Sequence, residues 1–190
     1  MAIEEAEYRV VLEEDPFELR YYEPHMVAET LGEGDFEDAG GDAFGRLFKY
    51  ISGENRSRQK IEMTAPVGQT ALSQKIDMTA PVEQTQVDGR WVVSFMMPSA
   101  YTAESAPEPI DPRVTLRQVP ARKMAAVTYS GLWSESGYLT NKTNLEAWIA
   151  KKGFSIVGEP VWARYNSPFT LWFLRRNEVL IPVEDAHLSE

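Results

Sequence analysis

Eleven residues of this chain are written twice, as KIEMTAPVGQT at 60–70 and KIDMTAPVEQT at 75–85, identical at nine of the eleven positions. Apolar and polar side chains alternate inside each copy. Ile61, Met63 and Ala65 fall on one face, with Glu62 and Thr64 on the other. Ile76, Met78 and Ala80 repeat the pattern against Asp77 and Thr79. A period of two belongs to a strand with one buried face, because successive side chains leave opposite sides of the backbone. GQTALSQ (68–74) has the length of a loop between two such arms, so the pair predicts an antiparallel hairpin. Pro66 and Pro81 lack the N–H of a ladder, so each arm ends, bulges or lies at an edge there. Two short copies cannot stack a continuous core, which excludes a solenoid. Met63 and Met78 also suit a pocket wall, since a flexible thioether packs well against a flat aromatic ligand.

The rest of the chain supplies more strands and two helices. YRVVLE (8–13), FELRYY (17–22) and MVAETL (26–31) have strand composition, with Asp15-Pro16 as a turn. Phe44, Leu47, Phe48 and Ile51 then recur at i, i+3, i+4 and i+7, a helical stripe that ends at Gly53. WVVSFMMP (91–98) reads as a strand. Residues 98–112 hold four prolines and little that could pack, so they form a long irregular connection. RVTLRQV (113–119) and KMAAVTYSG (123–131) are strands. Leu145, Trp148 and Ile149 mark a second helix that starts near Ser134 or Thr140 and stops at Gly153. FSIVGEPVWARY (154–165), FTLWFLRR (169–176) and VLIPV (179–183) complete the order, with a turn at NSP (166–168). The expectation is one α+β domain over 1–190. Its two ββαββ-like lobes, about 8–97 and 113–183, are joined by the 98–112 connection, with antiparallel pairing dominant.

Composition removes several kinds of chemistry. With no cysteine there is no disulfide, iron–sulfur cluster, thiolate zinc site or cysteine nucleophile. At 190 residues the chain can bury roughly 70% of its unfolded surface and needs no such staple. The formal net charge of −10 opposes sequence-independent binding to DNA or RNA, which rests on neutralising phosphates. No apolar run approaches the length that spans a bilayer and no signal peptide is readable, so the expectation is a soluble, cytoplasmic protein without membrane insertion.

Read in order, FELRYYEP (17–24), AFGRLFKYISGEN (43–55), the doubled KIxMTAPV, WVVSFMMP (91–98), PEPIDPRV (107–114), ARYNSPFT (163–170) and RRNEV (175–179) resemble the SOUL family of haem-binding proteins, in its bacterial form. The resemblance runs from about Tyr8 to Val183. It implies a distorted antiparallel β-barrel flanked by two helices with pseudo-twofold symmetry. It also implies haem or another tetrapyrrole bound reversibly in a shallow apolar cleft, for buffering or transport. On this sequence that cleft maps to residues 43–51 and 165–171. Where a histidine ligand has been proposed in some relatives, this chain has Tyr21, and tyrosinate can ligate ferric iron. Its histidines are His25, beside Pro24 in a turn, and His187, in an acidic tail.

A haem site needs an apolar slot and cations for its propionates. Phe44, Phe48, Met63, Met78, Tyr165 and Phe169 are candidates for the slot, and Arg46, Lys49 and Arg175 for the carboxylates. Each has a plainer assignment: core packing for the aromatics, a solvated helix face for Arg46 and Lys49, a structural ion-pair network for Arg175-Arg176-Asn177-Glu178. Tyr21 and His25 are the candidate iron ligands, against a sheet residue and a surface histidine. Two other functions stay open, a small-molecule sensor or hydrolase on a gyrase-inhibitor-like barrel, and a non-catalytic interaction module. The acid–base candidates for an enzyme are Glu18, Glu29, Glu178, Tyr22 and Tyr165, and no spacing marks a catalytic pair among them.

Overall fold

The computed structural model describes residues 3–36, 38–58 and 73–185. Its strands are β1 (Glu4–Glu5), β2 (Tyr8–Glu14), β3 (Phe17–Tyr22), β4 (His25–Gly32), β5 (Asn55–Arg56), β6 (Thr79–Ala80), β7 (Val82–Val87), β8 (Arg90–Met96), β9 (Glu108–Pro109), β10 (Thr115–Val119), β11 (Arg122–Tyr129), β12 (Phe154–Ile156), β13 (Val161–Arg164) and β14 (Asn177–Asp185). Helix α1 (Ala39–Ser52) follows β4, and α2 (Glu135–Lys152) follows β11.

Ten strands form one antiparallel sheet in the order β10-β4-β8-β7-β13-β14-β11-β3-β2, with β12 also paired to β14. The α+β class is as expected, but the sheet does not close into a barrel. Its end strands, β2 and β10, do not pair. Both are poor partners for closure. β2 shifts register between Val10 and Leu12 and exposes most of its side chains. β10 ties Arg117 to Glu29 of β4 on its exposed side. Bulges and charges are common means of blunting a sheet edge.

Period-two alternation buries both faces of the central strands. On one face Ala125, Val127, Trp162, Val179, Ile181 and Val183 pack under Leu145, Trp148 and Ile149 of α2. On the other, Met124, Ala126, Val161, Ala163 and Leu180 meet Tyr22. α2 starts and stops where the sequence predicts. Ser134 Oγ accepts from the Gly137 N–H, and Gly153 adopts φ +75°, a conformation cheap for glycine.

α1 departs from the predicted stripe. Beyond its buried first residues Ala39 and Gly40, it buries Ala43, Leu47, Tyr50 and Ile51, packed on Ala28, Val93 and Phe95 of β4 and β8. The stripe is therefore centred one position away from the predicted one. Phe44 lies half-buried at its margin and Phe48 is 49% exposed.

Two further expectations change. The 98–112 connection is anchored rather than loose: Ala106 and Pro107 are buried, Tyr50 donates to the Pro107 carbonyl at 2.8 Å, and β9 pairs with β5. FTLWFLRR is not a strand. Arg175 donates to the carbonyls of Thr170 (2.8 Å) and Pro168 (2.7 Å), and Leu174 N–H donates to Leu171 O. Those backbone acceptors are satisfied locally, which leaves no ladder to join. The segment forms a short 3-10 turn at Trp172–Leu174 with Phe169, Leu171, Trp172, Phe173 and Leu174 all exposed.

The first copy of the doubled phrase, Met63 included, lies outside the described residues, so the hairpin does too. In the second copy Ile76 is buried and Asp77 exposed, but Thr79 and Ala80 are both buried. Thr79 Oγ1 donates to Met96 O at 2.5 Å, which draws it inward. β6 stops at Pro81 as expected, and it pairs in parallel with β1. No helix among the described residues is long and apolar enough to cross a membrane.

Candidate functional site

The off-centre stripe of α1 leaves an apolar flank beside the helix. Phe44 and Phe48 stack there with centroids 6.1 Å apart and planes 11° from parallel. Phe44 also meets Phe95 edge-on at 5.1 Å, which fixes the inner ring. Facing them, β13 ends at Arg164 and the chain continues through Tyr165, Asn166, Ser167 and Pro168. Between these walls lies a cleft of about 500 Å³, bordered also by Met78, Thr79, Ala80, Val82 and Trp133. That is within the usual size of small-molecule sites, roughly 300–1,000 Å³.

Of the fifteen described residues that line the cleft, Arg164 alone is charged. Its side chain is mostly buried and has neither a hydrogen bond nor an ion pair among the described residues. Its Nε is wholly buried without an acceptor. The guanidinium carbon lies 4.7 Å from the Trp162 ring centroid and 5.3 Å from that of Trp133. Burial pushes its pKa down to about 10, because the charged form has lost water and gained no counter-ion. Trp133 is held in place by donating Nε1–H to Asn177 Oδ1 at 2.9 Å and by Arg175, stacked 4.5 Å over its ring.

Tyr165, on the cleft wall, is backed by a polar network. Glu178 is fully buried and accepts from Arg20 Nη1 (2.8 Å) and Nη2 (3.0 Å), Tyr165 Oη (2.8 Å), Thr128 Oγ1 (3.1 Å) and Arg176 Nε (3.1 Å). Burial alone would raise its pKa. The hydrogen bonds and charge of Arg20, with Arg176, reverse this and hold the carboxyl below the ordinary glutamate range. Burial and the neighbouring carboxylate push the Tyr165 hydroxyl well up. The cluster keeps Glu178 ionised with its oxygens occupied, an arrangement that fixes a wall rather than passing a proton.

The structure brings Phe44, Phe48, Met78 and Tyr165 to one cleft. Arg46 turns to β4, donating to Thr30 Oγ1 (2.8 Å) and Leu31 O (2.9 Å), and Lys49 borders a separate surface concavity with Glu54 and Asp111. Phe169 is 95% exposed and Arg175 supports Trp133 and its own loop. Tyr21 belongs to another concavity, under Arg9 at 4.7 Å. His25 borders a third, smaller and acidic, with Nδ1 3.0 Å from Glu23 O. Met63 and His187 are outside the described residues. Sequence reasoning missed Arg164, Trp133 and the Gly40-Gly41 pair. One signal was available: in VWAR, Arg164 shares a face with Trp162 at the end of an apolar strand.

Solved structures share this fold. The C-terminal domain of EcmrR superposes with a TM-score of 0.59 at 11% identity, covering 94% of this chain and 99% of that one. EcmrR in its DNA complex gives 0.61 at 11% identity, over 90% of this chain and 57% of that one. A hydrolase from Listeria innocua gives 0.55 at 11% identity, over 92% and 94%. At such identity the likeness concerns the fold alone. No curated protein matches the chain. The family model described as SOUL heme-binding protein matches residues 3–182, and the chain belongs to that family.

Proposed function

We propose that this protein binds haem or another tetrapyrrole reversibly in the cleft beside α1, holding or carrying the macrocycle in the cytoplasm without transforming it. One observation carries the reading. Two stacked phenylalanines at the margin of the core face a cleft of about 500 Å³ where, among the described residues, the sole lining charge is an arginine without a hydrogen bond or ion pair. A flat apolar molecule with an acidic substituent satisfies both features at once. Membership of the SOUL heme-binding family supports the ligand class.

The residues fit the macrocycle. Phe44, Phe48, Val82 and Trp133 supply apolar contact, and Arg164 can meet a propionate. Iron, when present, would bring its own redox and ligand-exchange chemistry. The cleft's sulfur donor is Met78, whereas Tyr165 already donates its hydroxyl proton to Glu178. The protein's own part is to bury one face of the ring, exclude water from it and orient its acidic edge.

A haemin titration tests this. Saturable binding with a Soret shift is expected, and Phe48→Asp should weaken it at least about tenfold, since a carboxylate would then be desolvated against the ring. Arg46→Glu with Lys49→Glu should leave affinity nearly unchanged, because both side chains turn away from the cleft. Non-saturable adsorption, or full affinity in Phe48→Asp, overturns the assignment.

A further inference from the structure

Arg164 poses an electrostatic problem that the described residues do not solve. It is a mostly buried cation with no carboxylate partner among the described residues. The groups near it are neutral: the indoles of Trp133 and Trp162, the Tyr129 hydroxyl and the Gln84 side chain. Gln84 Oε1, on the same floor, is itself buried without a donor. The positive end of α1 also lies here. A Cβ built at Gly40 would sit 3.4 and 3.5 Å from the two terminal nitrogens of Arg164, and 3.5 Å from Gln84 Oε1. A helix N-terminus repels a cation and attracts an anion. Gly40 and Gly41, in that first turn, both line the cleft, and a Cβ at Gly41 would meet nothing within 4 Å. The absent side chains keep the floor open to a group arriving from the cleft.

We propose that Arg164 and the first turn of α1 form a receptor for one carboxylate, so that the cleft selects aromatic acids over their neutral analogues. The inference rests on the cleft assignment above and deepens it. The occupant directs one carboxylate to the floor beside Gly40, while its ring lies against Phe44 and Phe48. Any second carboxylate stays at the solvent edge, because no other cation among the described residues lines the cleft. Selection by charge at the floor does not depend on iron, so metal-free and metal-bound porphyrin acids are held alike.

The test uses the full chain and two fluorescent probes of one ring system, 1-pyrenebutyrate and 1-pyrenebutanol. The acid should bind the wild type about tenfold or more tightly than the alcohol, the scale of a charge-assisted hydrogen bond in a partly buried site. Arg164→Met should bring the acid down to the affinity of the alcohol and leave the alcohol unchanged. Arg164→Lys, which keeps the charge but not the planar fork, should keep part of the preference. Equal binding of acid and alcohol by the wild type, binding of neither, or an undiminished preference in Arg164→Met overturns the proposal. A parallel haemin titration separates the two readings. Haemin binding without acid preference removes the carboxylate receptor and leaves the tetrapyrrole site. Acid preference without haemin binding does the reverse.

Discussion

Arg20 on β3 and Glu178 on β14 form a two-pronged buried ion pair, at 2.8 and 3.0 Å, across the strand that separates them. β11 runs between, and its Thr128 donates to the same carboxylate. The pair therefore ties three strands together, and Tyr165 on the cleft wall bonds to the same carboxylate. The two partners are unequal. Removing Arg20 leaves Glu178 with Arg176 and Tyr165, whereas removing Glu178 takes the one fully buried carboxylate from two guanidiniums and leaves each with a more exposed partner, Arg20 with Glu18 and Arg176 with Glu5. Glu178→Leu is expected to cost about 3–5 kcal/mol in urea unfolding, and Arg20→Met clearly less. Equal losses would mean that Arg176 does not share the carboxylate.

The same network sets the response to acid. Glu178 titrates below its ordinary value of 4.5 in the folded protein, so the unfolded chain binds the proton more readily. The stability this group contributes is fully present above pH 4.5 and is lost as pH falls through the lower folded value. Glu178→Gln should flatten the fall in stability below pH 4.5 while lowering stability at pH 7. An unchanged acid limb, followed by circular dichroism, would place the acid sensitivity elsewhere.

Phe48 and Leu47 are neighbours in sequence with opposite tasks. Leu47 is fully buried, so Leu47→Ala should cost about 2–5 kcal/mol through lost burial and the cavity left behind. Phe48 is half exposed beside the cleft, so Phe48→Ala should cost under about 1 kcal/mol and weaken haemin binding instead. Thermal melts and haemin titrations of the two variants should separate fold from site. A large stability loss in Phe48→Ala would assign it to the core.

That separation also marks where sequence reasoning succeeds. A 3.6-residue period reveals that α1 has an apolar stripe, and it singles out Phe44 and Phe48, which the structure places at the cleft. The period does not fix which side of a wide stripe meets the sheet. Here Ala43 and Tyr50 take the inner positions and turn Phe48 outward. Arg46 and Lys49 were chosen for charge and for their place in the helix, but charge says nothing of direction, and Arg46 is drawn to Thr30 and Leu31. FTLWFL has strand composition, yet Arg175 takes its carbonyls, a contact that composition does not carry. Arg164 was hidden for a longer-range reason. Its importance lies in standing beside Gly40, and only the folded sheet brings those two residues together.

Arg164 also supports a prediction about stability in the absence of ligand. A cation without an ion-pair partner among the described residues, mostly buried and near a helix N-terminus, is desolvated with only the Trp133 and Trp162 rings to offset the cost, and its pKa of about 10 reflects that. Below pH 10 the folded protein carries this cost. Between pH 10 and the ordinary arginine value of 12.5 the unfolded chain holds the proton more tightly, so this group's contribution to stability rises with pH there. Arg164→Met removes the charge but keeps a long apolar side chain, and loses the contacts with Trp133 and Trp162. The balance should leave the unliganded protein equal in stability or up to about 1 kcal/mol more stable at pH 7. The same variant should lose the extra thermal stabilisation that an aromatic acid gives the wild type. Melting curves of both proteins, with and without 1-pyrenebutyrate, read both effects. A residue selected for packing alone would destabilise the empty protein by several kcal/mol when replaced; one kept for a ligand should not.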